Sequence, residues 1–193
     1  MPHILWKVFQ STQDWSKTFR PSVLGRLLLF PTDGFVLGKE QFASLAFAAK
    51  QSHGETKAVA IDVEGRAESE ITAELGTSVD LTDFKAYALR RDHGEFLTEC
   101  CLLSPSGMWG VWLTQESFAL VGGTLQFVNH FKEAMPAVDE QSVLFAKAWL
   151  DASRRNGAST TWLRPLMQHI HGEPKASRLI AEAGAPEQSA SSS

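Results

Sequence analysis

Apolar and polar positions alternate most clearly from Cys101 to Gly123, where CLLSPSGMWGVWLTQESFALVGG holds three apolar runs separated by two short polar breaks. Ser-Pro-Ser-Gly at 104–107 and Gln115-Glu116 have turn chemistry. The segment therefore reads as three antiparallel strands that pair as sequential neighbours. Upstream, residues 84–91 and 95–103 read as two strands meeting at Asp92-His93-Gly94, and KAVAIDV (57–63) reads as another. ILWKVF (4–9) is a short strand candidate. RLLLF (26–30), Pro-Thr-Asp-Gly (31–34) and FVL (35–37) read as a hairpin.

Other stretches carry a helical period. Ser-x-x-Asp at 11–14 opens a short helix over 12–19, stopped by Pro21. Phe42, Leu45, Ala46 and Ala49 fall on one face of a helix over 39–52, ended by His53-Gly54. Gly122-Gly123 closes the last strand, and Thr124 caps a helix over 125–135 with Phe127, Phe131 and Met135 as its buried stripe. Asp139 caps a second helix to Arg155, with Phe145, Trp149 and Ala152 inward and Lys147, Asp151 and Arg155 paired outward. A last helix starts from Thr161 as cap, so that Pro165 stays in the first turn and Trp162, Leu166, Met167 and Ile170 share a face. Residues 64–80 have no sustained period and read as a long acidic connection. From Glu173 the chain turns polar and small, which reads as a tail.

These elements define an α+β protein: an antiparallel meander of about five strands, an N-terminal helix and a helical C-terminal third. One domain over 1–172 and a tail over 173–193 are expected. The 193 residues suffice for one full core. No apolar run reaches the length of a membrane span, and the first fifteen residues lack a secretory apolar stretch. The two cysteines, Cys100 and Cys101, are adjacent, a strained geometry for a bridge. A disulfide scaffold is excluded and a reducing cytoplasm is the expected location.

Charge changes the picture more. The net charge is −4, but Glu55 to Glu99 holds eleven acidic and five basic side chains, and the remainder eleven and thirteen. An acidic middle argues against a nucleic-acid partner, which requires a basic stripe. It suits a basic protein partner, because opposed fields speed encounter. A solvated acidic loop is the plainer alternative.

Few residues carry chemistry. Cys100 and Cys101 point to opposite faces of a strand and lack an activating neighbour. His169 and His171 diverge on a helix, against a shared metal. The Gly122-Gly123-Thr124 junction could offer N–H groups to an anion, although it lacks the longer glycine pattern of a nucleotide site. Glu95 and Glu99 share one face of a strand, where paired carboxylates can serve catalysis or simple solvation. Trp109 and Trp112 face opposite sides of theirs, so the second face must meet a helix or a partner, and an exposed tryptophan anchors interfaces. No cofactor or metal is expected.

The run SPSGMWGVWLTQESFALVGGTLQFVNHFKEAMP resembles a segment of uncharacterised bacterial proteins with an SPxGxWG turn, a hairpin, a glycine pair and F-x-x-x-F on a helix. In general style it is similar to small immunity proteins that neutralise toxins. The resemblance implies a bacterial cytoplasmic α+β protein and no catalytic residue. The expected function is a stoichiometric, non-enzymatic protein-binding module of the immunity type. Its interface candidates are Glu64, Glu68, Glu70, Glu74, Asp80, Asp83, Glu95, Glu99, Trp109, Trp112 and Glu116, with no nucleic acid and no membrane as partner. The alternatives are a small-molecule domain or hydrolase with its pocket between sheet and C-terminal helices, and a structural subunit of a bacterial complex.

Overall fold

The computed structural model describes residues 4–11, 14–66, 70–71, 76–92 and 98–184. The protein is α+β, as the pattern of segregated runs predicts. Six strands, β1 (Gly25–Leu29), β2 (Lys57–Asp62), β3 (Thr77–Asp80), β4 (Cys100–Leu103), β5 (Trp109–Leu113) and β6 (Ala119–Gly123), form one sheet in the order β1-β6-β5-β4-β2-β3. Every pairing is antiparallel. The helices are α1 (Leu5–Val8), α2 (Lys39–His53), α3 (Phe84–Asp92), α4 (Leu125–Ala134), α5 (Val138–Asn156), α6 (Leu163–His171) and α7 (Glu173–Glu182), with a 3-10 turn at Trp15–Lys17.

All residues of β4, β5 and β6 are buried, so the sheet is apolar on both faces and helices cover each. On one side Cys100, Leu102, Trp109, Val111 and Val121 pack with Phe42 and Leu45 of α2, Tyr87 of α3, and Phe127 and Phe131 of α4. On the other, Cys101, Leu103, Trp112 and Leu120 pack with Leu5 and Val8 of α1, Phe145 of α5, Leu166 and Met167 of α6, and Leu179 and Ile180 of α7. Trp162 joins Trp15, Trp149 and Phe145 in an aromatic cluster on this second side, at centroid distances of 5.1, 4.9 and 6.0 Å.

Several elements differ from the sequence expectation, each for a packing reason. Within 4–9, Leu5–Val8 form α1 instead of a strand, with Leu5 and Val8 at i, i+3 buried on one face, and Phe9 follows in an antiparallel bridge with Phe19. Residues 84–92 are helical. The Asp83 carboxylate takes the Ala86 N–H, and Phe84 and Tyr87 meet Phe42 at 5.6 and 4.4 Å. Residues 93–97 lie outside the described residues. The expected 26–37 hairpin does not form, and residues 31–37 keep only a tight antiparallel Asp33–Val36 bridge. β1 pairs with β6, while Leu37 is buried beneath α2 and α4 and gives its N–H to the Tyr87 hydroxyl. The acidic connection contains β3, a polar edge strand with only Val79 buried.

The C-terminal third differs in detail. The residue preceding α5 is Ala137, and Asp139 instead receives Lys175 of α7 at 2.6 Å. Asp151 pairs with Arg154, not with Lys147 or Arg155. Trp162 rather than Thr161 precedes α6. No tail begins at Glu173: α7 buries Ala176, Leu179 and Ile180.

Gly122 and Gly123 belong to β6, without positive φ. Gly122 faces Gly110 of β5 across the ladder. A side chain at either would overlap Phe19 or Phe9, whose rings stack 5.3 Å apart. The paired glycines form a recess in the sheet that seats the N-terminal segment. Gly122→Ala is therefore expected to lower stability by about 1–3 kcal/mol through overpacking. Gly38→Ala, whose methyl meets only the Gln41 amide oxygen at 3.6 Å, should cost less, no more than about 1 kcal/mol, from exchanging a glycine for an alanine at the N-cap of α2. Urea unfolding of the two variants checks the contrast.

Candidate functional site

The register brings three of the expected interface residues to one end of the sheet. Asp62 ends β2 opposite Cys100, Cys100 faces Leu113, and Leu113 faces Ala119. Glu64, just past β2, Glu99, just before β4, and Glu116, in the β5–β6 turn, therefore gather at this acid end. The Glu99 N–H donates to Glu64 Oε2 at 3.1 Å, and the Gln115 N–H donates to Glu99 Oε1 at 3.1 Å. Two backbone donors thus hold the carboxylates in place.

Glu99 is 8% exposed. Burial raises its carboxyl above the ordinary range. The Gln115 N–H opposes that shift, and the charges of Glu64 and Glu116 add to it. The indole of Trp112 lies close enough to lower the Glu99 carboxyl, yet its buried N–H makes no hydrogen bond among the described residues. Among these residues no lysine, arginine or histidine forms an ion pair with Glu64, Glu99 or Glu116. Arg66 borders the cluster, where its guanidinium donates to the Asp62 carbonyl. Asp62 itself is exposed at the same end. It was missing from the expected set, although its place at a strand end two residues before Glu64 is visible in the chain.

The remaining candidates lie elsewhere. Asp80 faces Lys57 at the far end of β2. It accepts the Thr82 N–H and hydroxyl, and Asp83 accepts the Ala86 N–H, so both shape the entry to α3. Glu70 is exposed. Glu68, Glu74 and Glu95 lie outside the described residues. Trp109 and Trp112 do face opposite sides of β5, but both are buried by helices and neither presents a surface anchor. The Trp109 indole donates to Glu55 Oε2 at 2.7 Å and its ring stacks on Phe127 at 5.4 Å.

Cys100 and Cys101 are fully buried on opposite faces, and burial pushes both thiols up, away from nucleophilic reactivity. Among the described residues no group of three or more histidine, cysteine or acidic side chains is arranged to hold a metal ion. No helix there is long and apolar enough to cross a membrane. Two open cavities flank α4. One of about 650 Å³ runs beside α2 past Phe47 and Glu133. The other, of about 320 Å³, opens at the end of the sheet opposite the acid cluster. Neither lies between the sheet and helices α6 and α7.

His169 and His171 diverge. His169 accepts the Phe19 N–H at 3.0 Å and stacks on its ring, beside the Arg26 guanidinium. His171 meets the Ser142 hydroxyl at 3.0 Å. Burial lowers both rings to about 4, helped by Arg26 for His169 and by Lys175 for His171. Below the ordinary histidine range the unfolded chain binds protons that the folded chain refuses. Stability therefore falls as pH drops from about 6.5 toward 4. The loss between about pH 7 and pH 5 is expected to be roughly 1 kcal/mol per ring, allowing for the half-exposure of His169. Replacing both by glutamine should flatten that part of the profile, which urea titrations at the two pH values would read.

No protein-family model matches the chain, and no curated protein or solved structure shows significant similarity to it. The fold is an antiparallel sheet enclosed by helices on both faces, with Glu64, Glu99 and Glu116 gathered at one end of its strands.

Proposed function

We propose that the chain is a stoichiometric protein-binding module that takes a basic partner on the acid end of its sheet. The observation that carries this reading is the gathering of Glu64, Glu99 and Glu116 with no ion-pairing cation among the described residues. The charges of Glu64 and Glu116 disfavour ionisation of the buried Glu99, and a cationic partner relieves that repulsion. The same field steers encounter with such a partner, so association should slow as salt rises. The SPSGMWGVW segment's likeness in style to toxin-neutralising immunity proteins supports a neutralising role. Two adjacent free thiols suit a reducing cytoplasm.

The test compares the intact chain with its Glu64→Gln/Glu99→Gln/Glu116→Gln variant as bait in host lysate. The expected outcome is one basic protein captured at one-to-one stoichiometry by the intact chain, released by high salt, and held at least about tenfold more weakly by the variant, equal to about 1.4 kcal/mol. A stoichiometric partner held equally by both baits would contradict the reading.

A further inference from the structure

The opposite end of the sheet has a different character. The cavity of about 320 Å³ there is formed where β1 and β5 begin and β6 passes into α4, and it has the size of a small-ligand site. Leu24, Met108 and Leu125 line it while 69, 44 and 54% exposed. Half of the strongly exposed large apolar side chains of the described residues thus surround one hollow. Scattered exposed leucines are ordinary, but a contiguous apolar rim marks a binding surface.

Among the described residues the charge at this hollow has one sign: Lys7 is the only charged residue lining it, and no carboxylate does. Its Nζ donates to the Ser106 carbonyl at 3.2 Å, which holds the ammonium at the rim. At the α4 side, the Thr124 hydroxyl accepts the Phe127 N–H and the Thr124 carbonyl accepts the Val128 N–H. The N–H groups of Leu125 and Gln126, one and two residues into the helix, remain for another acceptor. An apolar rim with a fixed cation selects a ligand that is apolar along its length and negative at one end.

We propose that this hollow binds a small amphipathic carboxylate, its chain lying on Leu24, Met108 and Leu125 and its head taken by Lys7 beside the start of α4. The site is separate from the acid end and does not depend on the protein-binding reading.

The test titrates the full chain with octanoate, octan-1-ol and octylammonium, followed by calorimetry and by the amide signals of Leu125 and Gln126. Octanoate is expected to saturate, to shift both amides, and to bind at least about tenfold more tightly than either neutral or cationic analogue. Lys7→Met should weaken octanoate about tenfold and leave octanol unchanged. Leu24→Ser, at a side chain already in solvent, should weaken both. Lys85→Met, an exposed lysine of α3 away from the hollow, should alter neither. N-acetyl-leucyl-leucine separates two sources of the same chemistry: tighter binding than octanoate assigns the site to a peptide C-terminus, and looser binding to an acyl chain. Equal binding of octanoate and octanol, no effect of Lys7→Met, or no binding of any probe at millimolar concentration would overturn the proposal.

Discussion

The central strands have no face that tolerates water. Cys100 and Leu102 point to one side and Cys101 and Leu103 to the other, and all are buried. An antiparallel sheet commonly leaves one face to solvent; this one requires a helical layer on each. The requirement explains why α7 must pack rather than trail, and why the N-terminal segment lies on the sheet as a short helix and a bridge. The recess made by Gly110 and Gly122 lets that segment approach: only with both side chains missing can Phe9 and Phe19 stack against the strands. Phe19 in turn meets His169 of α6, so one vacancy in the sheet fixes the relation between the N-terminal segment and α6.

With both faces enclosed, the strand ends are left for function, and they differ electrically. One end gathers Glu64, Glu99 and Glu116 around two backbone hydrogen bonds. The other presents Lys7 and exposed apolar side chains around an open cavity. Between them the tryptophans of β5 serve the interior. Trp109 is tied to Glu55 and Phe127, and Trp112 brings an unpartnered indole N–H toward the buried Glu99. A buried carboxyl next to two others is an expensive arrangement in the free chain. The partner's cations are what would make it favourable.

Local patterns were legible where a single period dominated. The 100–123 meander, the Phe42 stripe of α2, the Thr124 cap and the buried Phe127–Phe131 pair of α4 all follow from residues close in sequence. Elements with mixed or weak signals were not. In 84–92 the Tyr87–Leu89 alternation reads as a strand, whereas the burial comes from Phe84 and Tyr87 at i, i+3. β3 hides because an edge strand with one buried residue looks like loop. α7 hides because only Ala176, Leu179 and Ile180 mark its inner face. The acid cluster depends on register: Glu64, Glu99 and Glu116 are distant in sequence and meet only because β2, β4 and β5 align. Burial of Glu99 was hidden for the same reason, since a glutamate sharing an expected strand face with Glu95 reads as solvated surface. Gly110 and Gly122 likewise gain their meaning only as neighbours across a ladder.

In the free chain the acid end is held against its own repulsion. Its most direct measurement is urea unfolding of the intact chain and the Glu64→Gln/Glu99→Gln/Glu116→Gln variant near neutrality and well below the ordinary carboxylate range. Glutamine keeps the acceptor oxygens that take the Glu99 and Gln115 N–H groups and removes the charge. Because the folded Glu99 carboxyl lies above its ordinary range, its ionisation weakens the fold as pH rises through that window. The account predicts a variant that is more stable than the intact chain near pH 7, with the difference vanishing in acid. A variant less stable near pH 7 would show that these carboxylates hold the fold together instead, and would contradict the account.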